Sequence, residues 1–325
     1  MNNIISVKNL KVEFETSGGT LKAVRGVDFK ISPKTTLGLV GESGCGKTVT
    51  CLAVLKLIEP PGNITGGEII FEGRDLLKMD EEKLRRVRGA EISFVFQEPM
   101  TSLNPVLTVG EQIIETILTH RKMKKKEAVD LAVSLLEKVK MPFARKIIYQ
   151  YPHQLSGGMC QRVMIAQALS CNPKLLIADE PTTALDVTVQ ARILKLLRDL
   201  KEEFDMSVLI VTHDFGIVAG MADFVAVMYA GQIVEYAPTE KIFRKAKHPY
   251  TAGLLNALPQ VAKKRRYVRL KEIAGSLPDL TKPIKGCVFY PRCYARENSC
   301  LEAESVLRQV EDGHWVRCFK TVNGG

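Results

Sequence analysis

A chain of 325 residues and 36.1 kDa that is 46% apolar can build roughly two domains with cores of their own, which excludes a disordered chain and a small disulfide-stapled fold. Charged residues make up 25%, mean hydropathy is zero, and the longest apolar runs, such as CLAVL at 51–55, fall far short of the ~18 residues a membrane helix needs, so the chain reads as soluble. The net charge of +10 is unevenly placed: residues 1–240 carry 29 basic and 29 acidic side chains, residues 241–325 carry 17 and 7.

The start, MNNIISVKNLKVEFE, lacks the basic and apolar regions and the cleavage site of a secretory signal, so the expected compartment is the cytoplasm. Short β-branched runs at 4–7, 37–40, 92–96, 175–178 and 207–211 are separated by helical patterns. Lone strands between helices predict an α/β fold with a mostly parallel, sandwiched sheet. Between the third and fourth runs lie helical signals, including 127–139 with Ala128, Leu131, Ala132, Leu135, Leu136 and Val139 on one face, which predict an inserted helical subdomain at about 98–170. A further helix is expected at 187–204, where Val189, Ile193, Leu197, Leu200 and Phe204 are spaced by three and four. Charge, prolines and four of the eight cysteines mark a boundary near 240 and a second module at 241–325. Its basic excess is either a solvated face or a surface for acidic headgroups or nucleic acid.

The first chemistry is GESGCGKT at 41–48, placed between the strand run 37–40 and an apolar helix expected at 49–58. Gly41, Glu42, Ser43, Gly44, Cys45, Gly46 and Val49 frame a backbone that can curl around phosphate. Lys47 supplies a charge for the β- and γ-phosphates, and the Thr48 hydroxyl a ligand for Mg²⁺. Asp179, ending the apolar run 175–178, can hold the Mg²⁺ shell, and Glu180 beside it can orient an attacking water. His213 ends the run 207–211 in the same way. LSGGMCQR at 155–162 offers a second phosphate-binding helix N-terminus in Ser156, Gly157 and Gly158. One nucleotide needs one phosphate loop, so the second is expected to serve a nucleotide held by another subunit.

With these motifs in this order, residues 1–240 resemble the nucleotide-binding subunit of an ABC transporter: a P-loop NTPase core with an inserted helical subdomain. The resemblance implies Walker A at 41–48, a Q-loop at Gln97 that senses the γ-phosphate, joins the Mg²⁺ ligands and talks to the membrane subunit, the signature at 155–159, Walker B at 175–180, a D-loop at 184–186 whose Asp186 faces the other subunit, and a switch at His213. Glu180 would be the catalytic base. Phe14 is the candidate for stacking on adenine, with a strand residue packed in the core as the other reading. Met159 stands where Gln is commoner in the family, and Cys160 follows it, leaving Ser156, Gly157 and Gly158 intact. Longer strings, MTSLNPVLTVGEQI, LLIADEPTTALDVTVQARIL and HPYTAGLLNALP, resemble the first ATPase subunit of dipeptide and oligopeptide importers, a group that includes nickel and glutathione relatives. In that group two ATPases, here expected as a heterodimer, pair under two membrane permease subunits fed by a solute-binding protein, at the cytoplasmic face of the membrane. A nucleic-acid-acting soluble ABC ATPase is the alternative, disfavoured because no coiled-coil or hook insertion is present.

Cys287, Cys293, Cys300 and Cys318 follow a C-x5-C-x6-C-x17-C pattern that lacks the close pairs of structural zinc sites. Four thiolates on a loop-rich segment suit a [4Fe-4S] cluster, as the resemblance also implies, with zinc and free thiols as alternatives. The C-terminal part is thus expected to be a small metal-binding module with few core residues, far in sequence from the phosphate loop and without a route to its chemistry. His314 reads as structural, and Cys45, Cys51, Cys160 and Cys171 as small buried hydrophobes.

Overall fold

The computed structural model describes residues 3–183, 185–258 and 273–322. Its strands are β1 (Ile5–Thr16), β2 (Gly19–Ile31), β3 (Thr36–Val40), β4 (Gly62–Phe71), β5 (Arg74–Asp75), β6 (Ile92–Val95), β7 (Leu175–Asp179), β8 (Ser207–Thr212), β9 (Phe224–Tyr229), β10 (Gln232–Pro238), β11 (Arg308–Glu311) and β12 (His314–Val316). The helices are α1 (Lys47–Val54), α2 (Glu81–Val87), α3 (Pro99–Ser102), α4 (Val109–His120), α5 (Lys125–Lys138), α6 (Ala144–Ile147), α7 (Gly157–Leu169), α8 (Val187–Glu203), α9 (Phe215–Met221), α10 (Thr239–Lys245) and α11 (Pro249–Asn256). The chain divides into two compact units.

One unit comprises residues 3–4, Ser32–Thr35 and Lys78–Val211. Its strands run parallel in the order β6-β7-β8, with Ile92 opposite Leu175 and Leu175 opposite Ser207. Every residue of β7 and β8 is buried, as strands covered on both faces must be. Helices α3 to α7 fill the chain between β6 and β7, as expected for the inserted helical segment. A capping box starts α4: Thr108 Oγ1 accepts from the Glu111 N–H and Glu111 Oε2 from the Thr108 N–H. On α5, Ala128, Ala132, Leu135, Leu136 and Val139 are buried as predicted; Leu131 is half-buried and Val133 joins the core instead. Helix α8 buries Ile193, Leu196, Leu197 and Leu200, while Val189 and Phe204 are only half-buried.

The other unit comprises Ile5–Ile31, Thr36–Leu77 and 212–322. It corrects the expectation of a mostly parallel sheet. β3 and β9 are parallel, but β9, β10, β12 and β11 follow one another antiparallel, and β1, β2, β4 and β5 form a separate antiparallel sheet in the order β2-β1-β4-β5. The run at 4–7 therefore opens a 12-residue hairpin strand rather than a lone parallel one. Its cause is local: Ile5, Val7, Leu10 and Val12 turn inward on β1, and Ser17-Gly18 forms a two-residue turn closed by a bond from Thr16 Oγ1 to the Gly19 carbonyl at 2.6 Å. The tail extends this unit instead of standing beside it. β12 pairs with β10, and Val288 and Phe289 enter the same core as Val40, Tyr229 and Tyr250. The rings of Tyr229, Tyr250 and Phe289 meet at centroid distances of 4.7 to 5.4 Å. Among the described residues no helix is long and apolar enough to cross a membrane.

Candidate functional site: a phosphate loop and a carboxylate site

Residues 41–48 form the turn from β3 to α1, as predicted, although α1 ends at Val54 and not at 58. Two of its glycines are required by space. A Cβ on Gly41 would stand 2.2 Å from the Met228 carbonyl oxygen, and one on Gly46, whose φ is +105°, would stand 2.5 Å from that of Ala23. Lys47 is buried, and its Nζ donates to the carbonyls of Gly41 (2.8 Å) and Glu42 (3.0 Å), which holds the ammonium inside the curl of the loop. Ser43, Gly44 and Thr48 face solvent, and Val49 is half-buried. Gly46 caps α1 without a side chain and no acidic residue occupies its first turn, so this helix end suits an anion. Cys45 is buried, and burial pushes its thiol up to about 11, far from a reactive thiolate at neutral pH.

Glu42 is fixed from an unexpected direction. Its N–H donates to Tyr250 Oη at 3.0 Å, and its carboxylate accepts two bonds from Arg292, Nη1 to Oε2 at 2.7 Å and Nη2 to Oε1 at 2.9 Å. Both partners come from beyond residue 240, so the expectation that the tail has no route to the phosphate loop is corrected. Sequence offers no signal for a pair 250 residues apart.

In the other unit, Asp179 is buried at the end of β7 and Glu180 follows in a left-handed conformation, φ +43°. The Glu180 N–H donates to the Val211 carbonyl at 2.9 Å, while Oε2 accepts from Gln97 Nε2 at 3.1 Å and Thr183 Oγ1 at 2.8 Å. The structure thus brings Gln97 and Glu180 together across 83 residues, and adds Thr183, which motif reading did not single out. Ser156 is exposed and caps α7, its hydroxyl making no capping bond of its own. At Gly158 a Cβ would lie 2.9 Å from Val189 Cγ1, whereas at Gly157 the nearest atom is 3.8 Å away. Asp186 Oδ1 caps α8, accepting from the N–H groups of Thr188 and Val189; Ala184, the start of the predicted D-loop, lies outside the described residues. Phe14 is half-buried on β1, its ring so close to Gly62 that a Cβ there would come within 2.4 Å. His213 is exposed just past β8.

The four tail thiols line one cavity together with His248, Phe289 and Arg296. The Cys287 N–H donates to the Cys300 carbonyl at 2.7 Å, and burial raises the thiols of Cys287, Cys293 and Cys318, the last to about 11. All eight cysteines are free thiols, Cys45, Cys51 and Cys160 buried and Cys171 half-buried. Among the described residues no three His, Cys, Asp or Glu side chains converge on a single-ion position. His314 is structural: its Nε2 lies 2.7 Å from Glu235 Oε1, both side chains fully buried.

A family profile described as "ABC transporter" matches residues 24–183, and one described as "Oligopeptide/dipeptide transporter, C-terminal region" matches 234–300. The oligopeptide transport ATP-binding protein OppD of Bacillus subtilis (strain 168) is 49% identical over 320 residues, 98% of this chain and 89% of that protein. This chain belongs to the ABC transporter ATP-binding proteins. The dipeptide transport ATP-binding protein DppD of the same organism is 47% identical to this ABC ATPase, again over 98% of the chain. Solved structures agree on the fold. The dimeric ATP-binding cassette MJ0796 bound to ADP and Pi has a TM-score of 0.65 at 27% identity, covering 72% of this ABC ATPase and 98% of that chain. CbiO1 from Clostridium perfringens, part of the transporter complex cbiONQ, has a TM-score of 0.65 at 25% identity, covering 82% and 100%.

Proposed function

We propose that this ABC ATPase powers the import of dipeptides or oligopeptides, and the observation that carries the reading is the match over nearly the whole chain, C-terminal region included, to oligopeptide and dipeptide transport ATP-binding proteins. It works at the cytoplasmic face of the membrane beside a second homologous ATPase, under two permease subunits fed by a solute-binding protein. Residues 1–240 act as the ATPase domain, with 98–170 as its helical subdomain, and 241–325 as the transporter-type tail. The same match speaks against a role on nucleic acid for the basic tail.

In this reading the N–H groups of 41–48 and the Lys47 ammonium bind the phosphates, and Phe14 borders the adenine. Thr48, Asp179 and Gln97 would supply the ligands for Mg²⁺, which when bound would neutralise charge on the phosphate oxygens. Glu180 takes a proton from the water that attacks the γ-phosphorus, the bond to the β–γ bridging oxygen breaks, and ADP leaves with that oxygen. Gln97 and Thr183 orient the Glu180 carboxylate through the two bonds to Oε2. His213 contacts the γ-phosphate, and Ser156, Gly157 and Gly158 close on the nucleotide of the facing subunit, with Asp186 at the junction.

For the tail thiols the reading carried forward is a [4Fe-4S] cluster. The support is the four-thiol pattern on a loop-rich segment whose cysteines all line one cavity, with zinc as the alternative. When bound, such a cluster would tie the loops of the tail together. Purification from detergent extracts tests the whole reading: permease and second ATPase subunits should co-purify, and ATPase activity should rise with peptide-loaded binding protein. Salt-sensitive nucleic-acid binding without membrane partners would overturn it. Iron and acid-labile sulfide in anaerobically purified protein decide the cluster, and stoichiometric zinc without sulfide would replace it.

A further inference from the structure

Arg292 sits in the short turn 290–292 that ends at Cys293, yet its guanidinium lies at the phosphate loop. Four of its bonds are accounted for: two to the Glu42 carboxylate, one from Nε to the Ala274 carbonyl at 3.0 Å and one from Nη2 to the Ile273 carbonyl at 3.1 Å. Its face lies over Tyr229, 5.7 Å from the ring centroid, and its side chain is only 6% exposed. A group held at so many points cannot follow the loop, so the loop is held by it. Glu42 is consequently pinned three ways: by Arg292 at the carboxylate, by Tyr250 at the N–H and by Lys47 at the carbonyl.

Charge adds a second consequence. A carboxylate within the phosphate loop would repel the polyphosphate it serves, and a bidentate guanidinium cancels that charge while fixing the backbone that carries it. We propose that Arg292 is a positioning residue for ATP: acting through Glu42, it sets the phosphate loop in its binding conformation and removes the repulsion that Glu42 would otherwise exert. The inference rests on residues 41–48 being the phosphate loop, and it goes beyond that reading by giving the tail a part in nucleotide affinity.

Affinity of the full chain for a fluorescent ATP analogue, with turnover measured in the assembled transporter, tests it. Arg292→Gln leaves a carboxylate that can still turn toward water, so it disturbs folding less than stranding the buried guanidinium would. It should weaken ATP binding about tenfold with turnover at saturating ATP changed less than about twofold, and Arg292→Lys, which keeps the charge and loses the fork, should fall between. In a Glu42→Gln background the same Arg292→Gln change should cost less than about threefold, because the repulsion has already gone. Equal losses in both backgrounds, or a lowered thermal midpoint with unchanged ATP affinity, would overturn the proposal. Lys47→Ala separates the two readings: if it abolishes binding while Arg292→Gln does nothing, the phosphate loop stands and the inference falls. If the unsubstituted chain binds no ATP, both fall.

Discussion

Glu180 carries the hydrolytic reading at the scale of single residues. A non-glycine residue at φ +43° is uncommon and persists only where its surroundings hold it; here the Val211 carbonyl holds the backbone and Gln97 and Thr183 hold the carboxylate. Glu180→Gln keeps the size and an acceptor oxygen for both contacts but removes the proposed base. It should leave ATP affinity intact, lower turnover by roughly 10² to 10⁴ fold and trap a closed dimer, and single-turnover hydrolysis in the assembled transporter measures this. Hydrolysis within a few-fold of the unsubstituted enzyme would show that another group takes the proton. Gly157→Asp tests the shared site. The nearest neighbour of a new Cβ there is 3.8 Å away, so the change acts through charge and not through a clash, unlike any substitution at Gly158. Placed in this subunit alone, it should silence the site whose lysine comes from the partner; loss confined to the site of Lys47 would contradict an exchange of signatures between subunits.

At the scale of elements, legibility followed the range of the signal. The phosphate loop, the end of β7 and the start of α7 are written in consecutive residues, and each appears where its motif places it. The β1–β2 hairpin was just as local, with alternating apolar residues and a Ser17-Gly18 turn, but its first residues look like a buried parallel strand when taken alone. Arg292 gives no sign in the sequence, because its partner Glu42 lies 250 residues away and is set by packing, whereas Thr183 stands three residues from Glu180 but in no motif that singles it out. Helix α11 adds a pH response. His248 caps it by accepting the Tyr250 N–H on Nδ1 at 3.1 Å, and burial holds this imidazole at about 4, below the usual 6.5, against the pull of Glu235 and alongside the repulsion of Arg317. The unfolded chain takes up the proton near pH 6.5 and the folded chain only near pH 4. The associated stability is therefore fully present above about pH 6.5 and is lost as pH falls toward 4, a change on the order of 3 kcal/mol. Urea midpoints from pH 7.5 to 4.5 should show it, and His248→Asn, which keeps an acceptor for the cap, should flatten that part of the profile. A profile equally steep in the variant would assign the acid sensitivity to other groups.

Across the whole chain, the composition break near residue 240 was visible but its meaning was not. Charge and cysteine counts suggested an appendage, whereas β12 continues the β9-β10 sheet and Phe289 packs on Tyr229 and Tyr250. Ile242, Tyr250, Val288 and Phe289 carry the tail into this core, while Leu301, Val306, Trp315 and Phe319 remain exposed. Cys300→Ser should loosen the tail, seen as faster proteolysis at 287–318, and should lower iron content in anaerobic preparations; unchanged iron would remove Cys300 from the ligand set.

The bonds from Tyr250 and Arg292 to Glu42 also work in the opposite direction. Coupling free energy belongs to both ends of a linkage, so if the tail steadies the loop for ATP, ATP must steady the tail by the same factor. Amide hydrogens at 287–293 should then exchange more slowly when nucleotide is present, although none of them touches a phosphate. The fuel would act as a clasp on the carboxyl-terminal segment, and removal of nucleotide would leave that segment the more readily cut by proteases.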